Sequence, residues 1–310
     1  MSVRTTRIFN ICEAAAYFLK EPIRLVLDSR LGRLVPLPAF VPTKCGDLIG
    51  RCRDYRERLQ TVERLFPGLR VRGGPFRGMR YAKPVGYCGV LFARLAGTYE
   101  SELHMVFETA ICAGYSRVLD IGSAEGYYAV GLALRLREAV VYAFDTSWLA
   151  RHLCRLNARV NRVDRRVYCR DGVYDAAQVE SLCLGERVLL ISDCEGFEGE
   201  IFRRADPSVY RTTDLLIEVH RSAGDCFAEQ LSTRLSRTHD SVLISPVADE
   251  AKLQLLDLEL RASAECNTLA TIVMENRLRT QTHGWLLLAS RANGTLCDVA
   301  RHLSRDAGKV

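Results

Sequence analysis

From residue 117 onward, apolar positions come in short runs and amphipathic stretches that take turns along the chain. Arg117–Ile121 reads as a strand, and Tyr127–Arg137 carries helical spacing. The alternation repeats: strand at Ala139–Phe144, helix at Trp148–Val160, strand at Arg166–Cys169, helix at Ala176–Cys183. Strands at Arg187–Ser192 and Asp214–Val219 follow, with helices opening at Glu198–Phe202 and Cys226–Leu235. Strands separated by helices at this spacing predict a parallel, doubly wound α/β sheet. Two late strands, Val242–Ser245 and Trp285–Ala289, break the regular alternation and predict an antiparallel edge. The fold expected is a seven-stranded, mostly parallel, Rossmann-like sheet.

The first part of the chain has a different texture. Ile8 to Leu19 is an apolar stretch carrying Glu13, and it is short of the roughly 20 residues a membrane span needs. It is read as a packing helix rather than an anchor or a leader. Leu48 to Phe66 has apolar residues in three- and four-residue steps, a helix stopped by Pro67 and Gly68. Gly73, Gly74, Gly78 and Gly86 then separate short stretches, as in a hairpin. The expected division is an N-terminal helical and hairpin extension over residues 1–96 and a main domain over 97–310, in which a helix at Glu100–Ala113 precedes the alternation.

Composition narrows the classes. With 310 residues, 48% hydrophobic and 26% charged, the chain is globular and neither disordered nor fibrous. Net charge is +6, and only five of the 43 basic residues are lysines, which points to coding bias more than to a nucleic-acid surface. Twelve cysteines are scattered with no C-x-x-C pair, as buried free thiols are, so a reduced, cytoplasmic protein is expected.

Chemistry concentrates at the strand ends, where ligands of such sheets bind. The first strand runs into Asp120-Ile121-Gly122-Ser123-Ala124-Glu125-Gly126. Gly122 suits the turn and Gly126 suits a close ligand. The spacing is G-x-x-x-G, not the dinucleotide G-x-G-x-x-G, and Glu125 is expected to repel phosphate, so a cationic ligand fits better. Asp145, ending the second strand 23 residues after Gly122, is placed to accept ribose hydroxyls. Asp171 and Gly172 end the third, where an adenine edge would lie.

These residues resemble the class I S-adenosylmethionine-dependent methyltransferases. The resemblance implies that Asp120 and the backbone of Gly122, Ser123, Ala124, Glu125 and Gly126 hold the methionine moiety of S-adenosyl-L-methionine, with Asp145 on the ribose and Asp171 near the adenine. The stretch Leu95-Ala96-Gly97-Thr98-Tyr99-Glu100, together with D-x-E-G-x-E at 193–198 and I-E-x-H at 217–220, resembles the FkbM-like branch, many of whose members methylate hydroxyls of sugars and secondary metabolites. Thr98 and Glu100 join the expected cofactor contacts on that basis.

Asp193, Glu195, Glu198, Glu218 and His220 bring five ionisable groups to two neighbouring strand ends. A hydroxyl acceptor must lose its proton, to a base or through a metal. Asp193, Glu195 and His220 are the expected catalytic residues. With Glu218 they are also a potential ligand set for a divalent metal ion. Blander readings stand beside these: His220 as a hydrogen-bonded structural residue, and Glu198 as an acid meeting a helix dipole. Cys194 has no basic neighbour to make it a nucleophile. The insertion from Asp249 to His283 reads equally as a lid or as a helix packed on the sheet edge, and Arg277 and Arg279 within it are candidate substrate contacts. The expected partner is a small-molecule acceptor. Nucleic acid is the less favoured one, no membrane is expected, and a homodimer is left open. Macromolecular methylation and a non-catalytic nucleoside-binding module are the competing readings.

Overall fold

The structure is a computed structural model, and it describes residues 60–86, 90–172, 176–203, 206–220, 226–264, 266–275 and 282–307. The chain divides into two compact units, Met1–Thr61 and Val62–Val310, and nearly all described residues belong to the second. The expected helix at 8–19 lies outside the described residues, as does most of the one at 48–66, of which residues 60–65 are helical.

Seven strands make one sheet: β1 (Arg117–Ile121), β2 (Val140–Phe144), β3 (Val167–Arg170), β4 (Val188–Ser192), β5 (Thr213–His220), β6 (His239–Ile244) and β7 (Thr282–Ser290). Their order is β3-β2-β1-β4-β5-β7-β6, with β7 antiparallel to both of its neighbours and the rest parallel. The doubly wound, Rossmann-like sheet expected from the alternation is therefore present, antiparallel edge included. Because strand side chains alternate between faces, Val118, Leu189, Ile191 and Leu216 enter one core while Leu119, Ile121, Leu190 and Leu215 enter another.

Helices cover both cores. On the first lie α1 (Leu91–Ala96), α2 (His104–Ala113), α3 (Tyr127–Arg135) and α4 (Trp148–Val160). On the second lie α5 (Ala176–Cys183), α6 (Glu198–Phe202) and α7 (Phe227–Leu235). The insertion folds as α8 (Asp249–Lys252), α9 (Leu258–Ser263) and α10 (Cys266–Val273), and α11 (Thr295–Ala307) follows β7. Leu256, Leu260, Ile272 and Val273 of the insertion are buried in the first core, with α10 packed against α1.

The glycine-rich segment makes a single antiparallel bridge, Arg70 to Arg80, rather than a longer hairpin. Val62, Phe66, Phe76 and Leu95, assigned by their local pattern to the extension, share the first core with the sheet. Phe76 lies so close to α3 that a Cβ on Gly131 would come within 2.4 Å of its ring. Among the described residues, no helix is long and apolar enough to cross a membrane.

Candidate active site

The turn after β1 is held from both sides. Gly122 and Ser123 donate backbone hydrogen bonds to the Phe144 carbonyl of β2 (2.8 and 3.0 Å), and Asp193 N donates to the Ile121 carbonyl (2.8 Å). Gly122 adopts φ 84°, and a Cβ there would lie 1.6 Å from the Asp193 carbonyl oxygen. Only glycine lets the β1 turn and the β4 end meet so closely. Gly126 adopts φ 86°, and its missing side chain makes room for Cys154 of α4, whose sulfur would sit 2.5 Å from a Cβ, so helix packing also requires glycine here.

Asp120 is 2% exposed and its carboxylate accepts from Ala129 N (2.9 Å) in the first turn of α3. It therefore caps a helix that has no side-chain cap of its own. Burial pushes its pKa up to about 8, with the charges of Asp193 and Asp145 adding to the rise. A raised folded-state pKa means that the folded chain holds this proton while the unfolded chain has released it. Stability is then fullest below the ordinary carboxyl pKa and is lost as pH climbs from about 4 to 8, at up to roughly 1.4 kcal/mol per pH unit. Asp120→Asn keeps an oxygen for the Ala129 amide and is expected to flatten this part of the curve. Urea unfolding between pH 5 and 8.5 measures it, and an unchanged slope in the variant would contradict the assignment.

The ends of β2 and β3 are joined through charge. Asp145 accepts from Ala124 N through one oxygen and from Ser147 N through the other, both at 2.8 Å. Arg151 of α4 donates to the Asp145 carbonyl (2.6 Å) and pairs with Asp171 (2.9 Å). Asp171 also accepts from Gly172 N (2.9 Å), and Gly172 lies against Thr146. The Ser123 hydroxyl is buried in this turn with no hydrogen-bond partner among the described residues.

Glu125 overturns an expectation. Its carboxylate is fully buried against Arg94 of α1, and the Arg94 guanidinium also lies over the Tyr99 ring, 4.4 Å from its centroid. The charge expected to repel phosphate is thus neutralised inside the protein. The Glu125 carbonyl accepts from Asn157 Nδ2 (2.9 Å), whose Oδ1 accepts from Ala82 N (2.9 Å), so the turn is tied to the segment before α1.

Thr98 is fully buried and donates through its hydroxyl to the Ala93 carbonyl (3.4 Å). Glu100 sits at φ 45° and donates its backbone N–H to the Glu275 carboxylate (3.1 and 3.3 Å). Burial, then the nearby Asp193 charge, holds the Glu100 carboxyl well above the ordinary range. Glu275 pairs with the fully buried Lys252 (2.7 Å), fixing the end of the insertion onto the residues that precede α2. Arg277 and Arg279 lie outside the described residues.

The ends of β4 and β5 bring the reactive groups together. His220 Nε2 lies 3.9 Å from Asp193, 3.6 Å from Glu195 and 3.4 Å from Glu218, while Nδ1 lies 3.4 Å from Glu198. The β5–β7 register shifts between Val219 and His220; irregularities of this kind re-aim side chains beside sites. Glu195 joins the group from a left-handed turn (φ 56°), not from extended chain. Glu198 is more than a helix-end acid: fully buried, it accepts from Cys194 N (2.8 Å). Burial opposes its charge, yet the His220 ring and the Cys194 amide draw its pKa below the usual value. Burial likewise disfavours the imidazolium, but Glu198, Asp193 and Glu195 outweigh it and raise the His220 pKa. Burial followed by Glu198 pushes the Cys194 thiol upward, so no thiolate nucleophile stands here.

No family model matches the chain, and no curated protein matches it. Solved structures resemble it weakly. A putative O-methyltransferase from Klebsiella pneumoniae is 15% identical over 62% of this chain and 78% of that one, with a TM-score of 0.36. An O-methyltransferase from Bacillus cereus, solved with SAH, is 12% identical over 86% and 96%, with a TM-score of 0.35. A SAM-dependent methyltransferase from Geobacter sulfurreducens, solved with S-adenosyl-L-homocysteine, is 15% identical over 61% and 89%, with a TM-score of 0.34. Similarity at this level assigns neither activity nor substrate. The strand order, the two helical layers and the antiparallel β7 define a doubly wound, Rossmann-like fold.

Proposed function

We propose that this chain is an S-adenosylmethionine-dependent methyltransferase whose acceptor is a hydroxyl of a small metabolite or sugar. The observation that carries the reading is the contact of Gly122 with Asp193, which joins the cofactor turn to the acid–imidazole group of β4 and β5. A sulfonium suits an edge that carries the Asp145 and Asp193 carboxylates, because each favours a cation nearby. Asp145 would take the ribose hydroxyls, and Asp171 would stand at the adenine.

In the transfer, an oxygen lone pair attacks the methyl carbon in line with sulfur. The C–O bond forms as the C–S bond breaks, and its electron pair stays on sulfur as the neutral thioether of S-adenosylhomocysteine. The hydroxyl proton passes to Asp193, beside His220 and Glu195, and from there to solvent. Alignment supplies most of the acceleration in such a displacement, and the base adds roughly 10²–10⁴. The order D-x-E-G-x-E then I-E-x-H favours the FkbM-like branch and hence a hydroxyl acceptor.

Calorimetry with S-adenosylhomocysteine tests the cofactor, with an expected Kd in the low micromolar range, about 8 kcal/mol. Asp145→Ala should weaken binding at least tenfold, about 1.4 kcal/mol, by leaving ribose hydroxyls unpaired. NAD binding in place of the adenosyl ligand would refute the activity. Labelled methyl donor offered with separate pools of metabolites, RNA and protein identifies the acceptor class, and label in RNA or protein would overturn the small-molecule reading.

A further inference from the structure

We propose that the ends of β4 and β5 form a mononuclear metal site, with Asp193, Glu195, Glu218 and His220 as ligands, that takes a first-row transition ion in preference to magnesium. Its catalytic meaning rests on the methyl-transfer reading above; the binding itself does not.

The distances carry the argument. The three carboxylate oxygens lie 3.4–3.9 Å from His220 Nε2, at or beyond the limit of a good hydrogen bond. Two ligands held at about 2.1 Å on a tetrahedral ion stand roughly 3.4 Å apart. For Asp193, Glu195 and His220 the spacing is therefore that of groups gathered around a common centre, with Glu218 beside the imidazole. Asp193, Glu195 and His220 each offer one ligand atom, all within 4.8 Å of one another.

A second observation is independent of these oxygens. Glu198 lies on the opposite side of the imidazole, fully buried, 3.4 Å from Nδ1, with its own Oε1 fixed by Cys194 N. Among the described residues its Oε2 has no hydrogen-bond partner, and neither does the buried Oδ1 of Asp193. At 3.4 Å this carboxylate is not hydrogen-bonded to Nδ1, but it faces the far nitrogen, where its charge favours a proton on Nδ1 and leaves the Nε2 lone pair for the ion. Four carboxylates around a single imidazole also leave an excess of negative charge that a divalent ion offsets.

The donor set selects the ion. Magnesium prefers all-oxygen octahedra and retains its waters, whereas an imidazole with carboxylates suits manganese, iron, cobalt or zinc. Glu195 is 84% exposed and Asp193 27%, so one side of the site opens to solvent and to an acceptor. An acceptor hydroxyl bound there would have its pKa lowered by the cation.

The test uses the full chain stripped with chelator and free of adenosyl compounds. Titration with MnCl₂ followed by electron paramagnetic resonance is expected to show one ion per chain. CoCl₂ should give d–d bands without a thiolate charge-transfer band, which separates this site from the twelve cysteines. Magnesium should bind at least 100-fold more weakly than manganese. Glu195→Gln, at an exposed position that does not threaten folding, should weaken Mn²⁺ binding at least tenfold, and Glu198→Gln by 10- to 100-fold with an unchanged circular dichroism spectrum. Absence of a stoichiometric site, or affinity unchanged in both Glu195→Gln and His220→Ala, overturns the inference. S-adenosylhomocysteine titrated into the same preparation keeps the two readings apart, since a chain that binds it without manganese refutes only the metal.

Discussion

Asp193→Asn is expected to lower methyl transfer by roughly 10²–10⁴ while S-adenosylhomocysteine binds within about twofold of the parent value. The substitution preserves shape, and the two backbone contacts of residue 193, to Ile121 and against Gly122, do not involve the side chain. The cofactor turn should therefore hold. What disappears is the carboxylate proposed as proton acceptor, and an amide neither takes up a proton at neutral pH nor replaces a charged metal ligand. Single-turnover rates with the acceptor found in the labelled-methyl screen, set beside calorimetry, separate the two effects. Full activity in this variant would sink both the proton-acceptor and the metal versions of the mechanism.

The largest stability loss is expected from Arg94→Ala, at about 3–5 kcal/mol. Arg94 and Glu125 pair with side chains 6% and 0% exposed, and the guanidinium lies over Tyr99 and Tyr127. Removing the cation leaves a carboxylate buried beneath the cofactor turn with water excluded. The double variant Arg94→Met with Glu125→Met should recover most of the loss, since an apolar pair has no charge to desolvate. Chemical unfolding of the two single variants and the double gives the coupling. Single variants that lose less than about 1 kcal/mol would mean that the pair is hydrated after all.

Strands and helices with a strong period were legible in the chain: Trp148–Val160 and Ala176–Cys183 begin and end where their patterns do. The edge strand β6 was read three residues short because His239, Asp240 and Ser241 lack an apolar pattern and are recruited by pairing with β7. Helix α11 was not anticipated, nor was α1, whose six residues are buried almost entirely and so carry no amphipathic signal. At the site, the grouping of Asp193, Glu195, Glu218 and His220 follows from adjacent strand ends, which the alternation already implies. The partners of Glu125 and Glu100 do not follow. Arg94 is 31 residues away from the first and Glu275 is 175 away from the second, and nothing local marks either contact. The packing need for glycine at 126 is hidden for the same reason, since it comes from Cys154 on a different helix.

The position of β7 has a temporal consequence. It lies between β5 and β6, yet it is made after both. During synthesis, the strand bearing Glu218 and His220 must wait with one edge unpaired until, some sixty residues later, β7 arrives to pair with it and with β6. Contacts so distant along the chain close slowly, and an apolar strand with a bare edge invites pairing with other chains. The reactive corner of this protein is thus the last to be assembled and the part most exposed to aggregation before it is complete, while the cofactor turn, built from β1, β2 and β4, can form earlier.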